Sequence, residues 1–401
     1  MRKIALCMEL SDFYEHGIAR GVLRFARSRP DWRIFGYGWM FRPLTDLERW
    51  RGDGVIARIE SAADADRIAA LGLSVVDVAG AYLRPGFRQV TNDDFLTGYK
   101  AFLHLRSCGF ERYAFLGVSG TLWSSAREEG FLRGLAGEAP AFRRPLPWWE
   151  GAVEAQEDLA AFLSSLEAPT GLFACNDTAG LRAAELARRL GIAVPESLAI
   201  LGVDNEDILC ELSSPPLSSI MLDCEAIGFR AAQTLAAALE GAAANIGAPG
   251  PPDGTRIAIP PREVVEREST MIYACPDALV SKAATFIKTR AHEGIDVGDV
   301  LAVLPSSRRA LETRFRAAMG RSLHEEIVRV RLTRARRLLR ETELTLEEVA
   351  AESGFGGLQR FHAAFRAAEG VSPGAWRHLC RRPSQSGARC FQGIRAPDAP
   401  K

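Results

Sequence analysis

Residues 172–177 read Leu-Phe-Ala-Cys-Asn-Asp, and residues 198–205 read Leu-Ala-Ile-Leu-Gly-Val-Asp-Asn. Each stretch is a short, unbroken apolar run that ends in polar residues. Such runs are typical of strands that are buried on both faces of a parallel sheet. Ligands of such sheets bind at the carboxyl ends of the strands. The two stretches therefore predict an α/β core with polar side chains at its ligand-binding edge.

The same pattern extends outward from these stretches, from about residue 3 to residue 265. Apolar runs at 4–8, 55–59, 75–79 and 113–117 predict further strands, and the amphipathic segments between them predict helices. Alternation of this kind favours a parallel α/β sheet. A segment of about 265 residues is long for one such unit, so we expect two α/β lobes.

The charge of the chain is unevenly distributed. The 401 residues include 50 Lys+Arg and 50 Asp+Glu, and this neutrality by itself argues against a nucleic-acid-binding protein. Residues 1–276, however, carry 28 basic and 36 acidic side chains, and residues 277–401 carry 22 basic and 14 acidic ones. An acidic part of net −8 is thus joined to a basic part of net +8.

This asymmetry, together with the change from mixed to purely helical patterns, predicts four segments. They are an α/β domain over 1–268, a linker over 269–277, a helical domain over 278–380 and a tail over 381–401. The tail is rich in Pro, Gly and Ser and poor in apolar residues, so we expect it to be disordered.

Two helix–turn–helix units are predicted in the helical domain. The first pairs a helix over 297–304 with one over 307–319, which Gly320 ends. The second pairs a helix over 346–352 with one over 357–369. Six arginines on the helix that joins the units could pair with DNA phosphates: Arg329, Arg331, Arg334, Arg336, Arg337 and Arg340. Any one of them is better explained as part of a solvated basic face, but two complete units with net positive charge favour DNA binding.

The order of residues over 278–380 resembles the arabinose-regulator (AraC/XylS) family of transcription factors. The matching positions are Ser307, Leu311, Phe315, Gly320, Val349-Ala350, Gly354-Phe355, Phe361, Phe365, Ser372-Pro373 and Trp376-Arg377. In that family two recognition helices enter successive major-groove segments. The resemblance implies that the bases are read by Arg309, Glu312, Thr313 and Arg316 in the first helix and by Gln359, His362 and Arg366 in the second. Ala363 stands where a polar reader is common, so the second helix is expected to read fewer bases directly.

Residues 1 to about 268 resemble the sugar-binding core of the lactose/galactose-repressor family, which has a two-lobed, periplasmic-binding-protein-like fold. The resemblance rests on Val90-Thr-Asn-Asp93, Ala174-Cys-Asn176-Asp177 and Ile200-Leu-Gly-Val-Asp204-Asn205. It implies that a sugar is bound by Asp204, Arg127, Glu128, Asn176, Asp177, Trp123 and Asp93. Asp and Asn are also favoured helix caps, so capping and ligation are both open for Asp93, Asp177 and Asn205. Glu9 and Tyr14, near the first predicted strand, are better explained structurally.

The order of the two domains resembles the family of bacterial xylose-operon regulators over nearly the whole chain. The stretches Leu217-Ser-Ser and Arg267-x-Ser269-Thr270 add to this resemblance, whereas Asn176-Asp177-Thr178 departs from the family's pattern and leaves the sugar open. The implied function is a sugar-responsive transcription regulator that activates pentose (xylose-like) catabolic genes. Its implied partners are double-stranded DNA, a sugar effector, RNA polymerase and a second copy of the chain.

Two other functions stay open: a sugar-processing α/β enzyme with an accessory helical domain, and a constitutive DNA-binding protein whose α/β domain serves only in dimerisation. We expect no enzyme, because no GxSxG, HExxH, P-loop or GxGxxG motif occurs. Six dispersed histidines and eight cysteines without CxxC spacing predict neither a metal nor a cofactor. Without a signal peptide or an apolar run of ~20 residues, we expect a cytoplasmic protein that does not contact membranes.

Overall fold

A computed structural model describes residues 1–37, 47, 49–82, 86–135, 139–145, 153–244, 256–275 and 277–381 of the chain. The chain divides into two units after Thr270. Ser269 and Thr270, which the sequence places in the linker, are fully buried within the first unit. Of the predicted tail, Arg381 is the last residue of a helix, and residues 382–401 lie outside the described residues.

The first lobe of the first unit is built on a six-stranded parallel sheet. Its strands are β1 (Arg2–Cys7), β2 (Trp32–Tyr37), β3 (Gly54–Ala57), β4 (Ser74–Asp77), β5 (Arg88–Asn92) and β11 (Arg256–Ile259). They are ordered β11-β5-β4-β3-β1-β2. The helices of this lobe are α1 (Phe13–Arg27), α2 (Ala62–Ala69) and α8 (Cys224–Ala244).

The second lobe repeats the arrangement. Its strands are β6 (Arg112–Ser119), β7 (Ala141–Pro145), β8 (Thr170–Ala174), β9 (Leu198–Asp204), β10 (Ser218–Met221) and β12 (Val264–Val265). They are ordered β12-β10-β9-β8-β6-β7, and only β12 pairs antiparallel to its neighbour. The helices are α3 (Asp94–Ser107), α4 (Leu122–Leu135), α5 (Val153–Ser165), α6 (Asp177–Arg189) and α7 (Asp207–Leu212).

The chain passes between the two sheets three times: after β5, after β10 and after β11. Since each strand of a parallel sheet ends at the same edge, the helices begin there, and five of them carry a side-chain cap at that point. The capping residues are Asp12, Ser61, Asp93, Asn176 and Asp223. The predicted α/β domain of two lobes is thus confirmed, with the strand ends of both lobes available for one site.

Helices α3 and α4 touch through two glycines. A Cβ atom on Gly98 would lie 1.7 Å from the carbonyl oxygen of Arg127, and one on Gly130 would lie 1.9 Å from that of Phe95. Neither position has room for a methyl group, because the facing atoms belong to the backbone of the other helix. The contact fixes the height of α4, and therefore of Arg127, above the sheet.

Gly98→Ala is expected to lower the free energy of unfolding by about 3 kcal/mol, since the helices must separate to admit the methyl group. Gly241→Ala in α8 is the matched control, because its Cβ would meet nothing within 4 Å. It should stabilise the protein by up to about 1 kcal/mol through helix propensity. Urea denaturation followed by tryptophan fluorescence measures both. Equal stability of the two variants would contradict the close contact.

The second unit is entirely helical in its described residues. Its helices are α9 (Ala278–Arg290), α10 (Val297–Ala302), α11 (Arg308–Met319), α12 (Leu323–Glu341), α13 (Leu346–Glu352), α14 (Leu358–Glu369) and α15 (Pro373–Arg381). Capping boxes begin α10, α12 and α13, and left-handed Gly320 and Gly370 end α11 and α14. The pairs α10–α11 and α13–α14 confirm the two predicted helix–turn–helix units.

Each helix–turn–helix unit has its own apolar core. Leu311 and Phe315 of α11 are fully buried against α9 and the start of α12. Phe361 and Phe365 of α14 are fully buried in a second cluster, which includes the end of α12. Helix α12 therefore contributes to both cores and links the units rigidly.

Within the described ranges, no helix is both long and apolar enough to cross a bilayer. The same residues contain no group of three or more His, Cys, Asp or Glu side chains that could hold a metal ion.

Candidate functional site

A cavity of about 500 Å³ lies between the two lobes of the first unit. Volumes of this order are usual for small-molecule sites. The polar residues that line it follow strands of both sheets: Glu9, Ser11, Asp12, Tyr14, Glu15, Arg58, Glu60, Asn92, Asp94, Arg127, Asn176, Asp177, Thr178, Asp204 and Glu206. Trp123 lines it as well. The cavity is thus polar, with two aromatic side chains, Trp123 and Tyr14, in its lining.

Arg127 is the central donor of the cavity. Its side chain is buried on α4, its Nε donates to Asp94 Oδ1 at 2.9 Å, and its Nη1 donates to the carbonyl of Cys175. Burial by itself would lower the pKa of Arg127, but the charges of Asp94 and Asp204 outweigh it and raise the pKa. The guanidinium also lies 5.0 Å from the ring centroid of Trp123. Arg127 is therefore a fixed cation beside a fixed aromatic face.

Asn92, at the end of β5, supports this arrangement and leaves an acceptor unused. Its Nδ2 donates to Asp94 Oδ1 at 3.0 Å and to Thr97 Oγ1 at 2.8 Å. Its buried Oδ1 has no hydrogen-bond partner among the described residues. Buried polar atoms are nearly always paired, so an unpaired acceptor in a cavity wall indicates a place for a ligand donor.

Asp204, at the end of β9, presents a carboxylate to the same cavity. Its backbone has φ 107°, a left-handed value that is costly for a residue other than glycine. Burial raises the pKa of Asp204, the charges of Asp177 and Asp12 raise it further, and Arg127 opposes them. A carboxyl group that is buried unfavourably, on a strained backbone, is typical of a binding residue rather than a structural one.

The first lobe supplies a charged wall around Arg58. The guanidinium lies 2.6 Å from Asp12, 3.2 Å from Glu15 and 3.0 Å from Glu60. Burial would lower its pKa, but these carboxylates raise it on balance. The sequence analysis did not identify Arg58, Glu60, Asn92 or Asp94 as candidates. Asn92 and Asp94 lie at the end of β5, a strand that was not predicted, whereas Arg58 and Glu60 follow β3, which was predicted.

The structure brings together five of the seven predicted sugar-binding residues. Asp204, Arg127, Trp123, Asn176 and Asp177 line the cavity. Besides Arg127, two of these five have structural partners already. Asn176 caps α6 through the N–H of Ala179. Asp177 accepts from Ser219 Oγ at 2.6 Å and from the N–H of Glu206 at 2.8 Å, and it contacts the Cys210 thiol.

The other two predicted residues, Asp93 and Glu128, are not among the residues that line the cavity. Asp93 caps α3, where its carboxylate accepts from the N–H of Leu96 at 2.9 Å. Glu128 is paired with Arg143. For Asp93 the structure therefore favours the capping interpretation that the sequence left open.

The predicted base readers lie on the outer faces of α11 and α14. Arg309, Thr313 and Arg316 are exposed on α11, with Glu312 half-buried beside them. On α14 Gln359 and Arg366 are exposed and His362 is half-buried. Both helices bury their phenylalanines on the opposite face, so the polar face of each is available to a groove of DNA.

Four of the arginines on α12 are occupied within the unit itself. Arg331 donates to the carbonyls of Ala291 and Ile295 at 2.9 and 2.6 Å. Arg334 donates to the carbonyl of Glu352 at 2.6 Å. Arg336 is paired with Glu369, and Arg329 with Glu326. We therefore expect these four to stabilise the helical unit, instead of pairing with phosphates as the sequence suggested.

Comparison with known proteins gives matches for both units. Residues 102–270 match a family described as a periplasmic binding protein-like domain, and residues 301–378 match a helix-turn-helix domain family. The cellobiose complex of the transcriptional regulator CelR has the fold of the first unit, with a TM-score of 0.55 at 20% identity, over 67% of this chain and 84% of that chain.

The proteins that match nearly the whole chain include two regulators and one solved structure. The xylose operon regulatory protein of Escherichia coli strain K12 is 31% identical over 94% of this chain and 97% of its own length. That of Haemophilus influenzae strain Rd is 28% identical over 94% and 98%. The structure of the xylose-binding transcription activator XylR has a TM-score of 0.58 at 29% identity, over 94% of this chain and 98% of that chain.

These relatives are transcription regulators and not enzymes. The predicted class, a transcription regulator with a periplasmic-binding-protein-like domain and an AraC-type helix-turn-helix domain, is therefore confirmed. The chain belongs to the family of xylose operon regulatory proteins.

Proposed function

We propose that this chain activates genes of pentose catabolism when a neutral pentose such as D-xylose binds between the lobes of its first unit. The observation that carries the proposal is the cavity, in which a buried cation, an aromatic face and unpaired acceptors converge. Sugars need donors and acceptors for their hydroxyls and an apolar surface for their C–H faces. The names of the full-length relatives support xylose as the first effector to test.

The sugar contacts are assigned to the cavity groups that can still donate or accept a hydrogen bond. The carboxylate of Asp204 and Oδ1 of Asn92 accept from sugar hydroxyls, Arg127 donates, and Trp123 stacks against the ring. Asn176 and Asp177 complete the wall. Asp93 and Glu128 are left out of this proposal because each has a partner outside the cavity.

The effector is uncharged. Eight carboxyl groups and two arginines line the cavity among the described residues, and both arginines are already paired with carboxylates. Burial raises the pKa of Asp177 to about 7 and that of Asp204 to about 8, so these two groups carry only part of a negative charge at neutral pH. An added phosphate or carboxylate would be repelled at close range in a poorly screened site. Sugar phosphates and uronic acids are therefore excluded by charge, although their size would fit.

The DNA contacts are divided between the two recognition helices. Arg309, Glu312, Thr313 and Arg316 read one major-groove segment, and Gln359, His362 and Arg366 read the next. Sugar binding closes the lobes and shifts the population in which the DNA-binding units are well placed, so sugar and DNA affinities are coupled reciprocally. The protein acts in the cytoplasm as a homodimer and recruits RNA polymerase.

Fluorescence anisotropy tests the proposal with the full chain and a labelled duplex enriched from random DNA by that chain. Saturating D-xylose is expected to change the DNA dissociation constant by about 5–150-fold. A calorimetric panel of pentoses, hexoses and sugar phosphates ranks the effectors. DNA binding that no sugar in the panel alters, with no sugar-induced rise in melting temperature, would instead support a constitutive DNA-binding protein.

A further inference from the structure

The segment through which the chain leaves the first unit, residues 266–270, is held by buried hydrogen bonds. Ser269 Oγ donates to the carbonyl of Ile200 in β9 at 2.6 Å and accepts from the N–H of Ser218 at 2.8 Å. Thr270 Oγ1 donates to Ser218 Oγ at 2.8 Å and lies 2.9 Å from His104 Nε2. Ser218, Ser269 and Thr270 are fully buried. The exit segment is therefore part of the second lobe and moves with it.

Arg267 connects this segment to the residue next to the sugar-binding Asp204. Its Nη1 donates to Asn205 Oδ1 and to the carbonyl of Leu217, both at 3.0 Å. The backbone of Arg267 also exchanges hydrogen bonds with Ser218 Oγ, at 2.8 and 2.9 Å. The side chain is only 14% exposed. One side chain thus links the exit segment, the start of β10 and the loop after β9.

Asn205 stands between Arg267 and the cavity. It is buried and, like Asp204, has a positive φ, of 54°. Its N–H donates to Ser219 Oγ at 3.0 Å, and Ser219 Oγ in turn donates to Asp177 in the cavity wall at 2.6 Å. Because Asp204 and Asn205 share a peptide bond, a rotation of the Asp204 backbone necessarily moves the groups that hold Asn205.

Resting on the proposed function, we infer that Asn205 and Arg267 are the positioning residues that transmit occupation of the cavity to the exit segment and so to the DNA-binding unit. Engagement of Asp204 by a sugar changes the strained backbone at 204–205. The Asn205–Arg267 hydrogen bond passes that change to residues 266–270. A strained backbone persists only while the surrounding residues hold it, so a change in the contacts of Asp204 can change the backbone conformation at 204–205.

Two variants remove the connection while leaving the cavity intact. Arg267→Met keeps the length of the side chain but removes its donors. Asn205→Gly removes the acceptor but tolerates the positive φ. Arg262→Met is the matched control, because Arg262 lies five residues upstream, is 55% exposed, and is paired with Asp223 outside the cavity. The readout is the coupling factor, the ratio of the DNA dissociation constants without and with saturating D-xylose, measured on the full chain.

Both variants are expected to bind D-xylose, and DNA in the absence of sugar, within about threefold of the parent, while the coupling factor falls to about two or below. The double variant should lose no more coupling than Arg267→Met alone, because the two residues act through one bond. The Arg262→Met control should keep the parental coupling factor. Arg267→Lys, which keeps the charge near Asp207 and Glu211 but has a single donor group, should keep part of it.

The outcomes separate this inference from the proposed function. A parent without any sugar effect on DNA affinity would overturn both. A coupled parent with variants of unchanged coupling would overturn the inference alone. Loss of D-xylose affinity in either variant would assign the two residues to the stability of the cavity instead. If Arg267→Met loses its cooperative thermal transition, Asn205→Gly and Arg267→Lys decide the question by the same coupling factor.

Discussion

Asp204→Asn is expected to weaken D-xylose binding about a hundredfold, which corresponds to about 2.7 kcal/mol. The amide has the shape of the carboxylate, and asparagine tolerates the positive φ at this position. It replaces one oxygen of the carboxyl group by an amide nitrogen that can only donate, so a hydrogen bond from a sugar hydroxyl to that oxygen is lost. Isothermal titration calorimetry measures the effect. Parental affinity in this variant would remove Asp204 from the site.

The same substitution is expected to stabilise the sugar-free protein at neutral pH. Burial raises the pKa of Asp204 in the folded state, so the folded chain holds this proton more tightly than the unfolded chain does. In the parent, the stability that protonated Asp204 contributes therefore declines as the pH rises from about 4, the ordinary carboxyl pKa, to the raised pKa of Asp204. Asparagine cannot ionise, so the variant should show a weaker decline and a higher melting temperature above pH 7.

A control variant separates the effect of Asp204→Asn from the effect of replacing any carboxylate of this unit by an amide. Asp223→Asn changes a carboxylate that follows β10, outside the cavity, and keeps the cap on the N–H of Ala226. It should leave the sugar affinity at the parental value. A fall in the melting temperature of Asp204→Asn would mean that Asp204 holds the fold together, in which case the loss of binding would have a structural cause.

The strands of the first unit were predicted where they form unbroken apolar runs, and two of the four missed strands, β5 and β10, bury polar residues. The runs that became β1, β3, β4, β6, β8 and β9 were identified, whereas β2, β5, β7 and β10 were missed. In β5, Gln89 and Asn92 are buried because Asp77 and Asp94 accept their amide hydrogens. In β10, Ser218 and Ser219 are buried against the exit segment and Asp177. Partners so distant in the chain leave no local pattern.

The candidate site shows the same division. Asn176 and Asp204 were identified because each follows a strand that was itself recognised. Arg58 follows a recognised strand too, but its role depends on Asp12, which β1 brings beside it only because β1 and β3 are neighbours in the sheet. Strand order is a property of the folded chain. The helical unit was predicted more completely, since caps and i, i+4 spacing are local features.

Arg309→Ala is expected to weaken sequence-specific DNA binding by about 10–100-fold, because a bidentate contact between arginine and guanine contributes about 1–3 kcal/mol of discrimination. Arg309 is exposed on the outer face of α11, away from the buried Leu311 and Phe315. Arg314→Ala is the matched control on the same helix, because its guanidinium donates to both carboxylate oxygens of Asp277, at 2.5 and 2.7 Å. Anisotropy titrations with the enriched duplex and with duplexes substituted at its guanines measure both variants.

The pattern of losses decides whether Arg309 reads a base. If it does, Arg309→Ala and the parent bind equally well to the duplex that is substituted at the guanine contacted by Arg309, and the variant binds the enriched duplex more weakly. Loss of a phosphate contact would instead weaken binding to all duplexes equally. D-xylose affinity measured without DNA should stay parental in Arg309→Ala, and sugar-free DNA affinity should stay parental in Asp204→Asn. Variants that each lost both functions would contradict the division of sugar sensing and DNA recognition between the two units, because surface substitutions such as Arg309→Ala have little effect on stability.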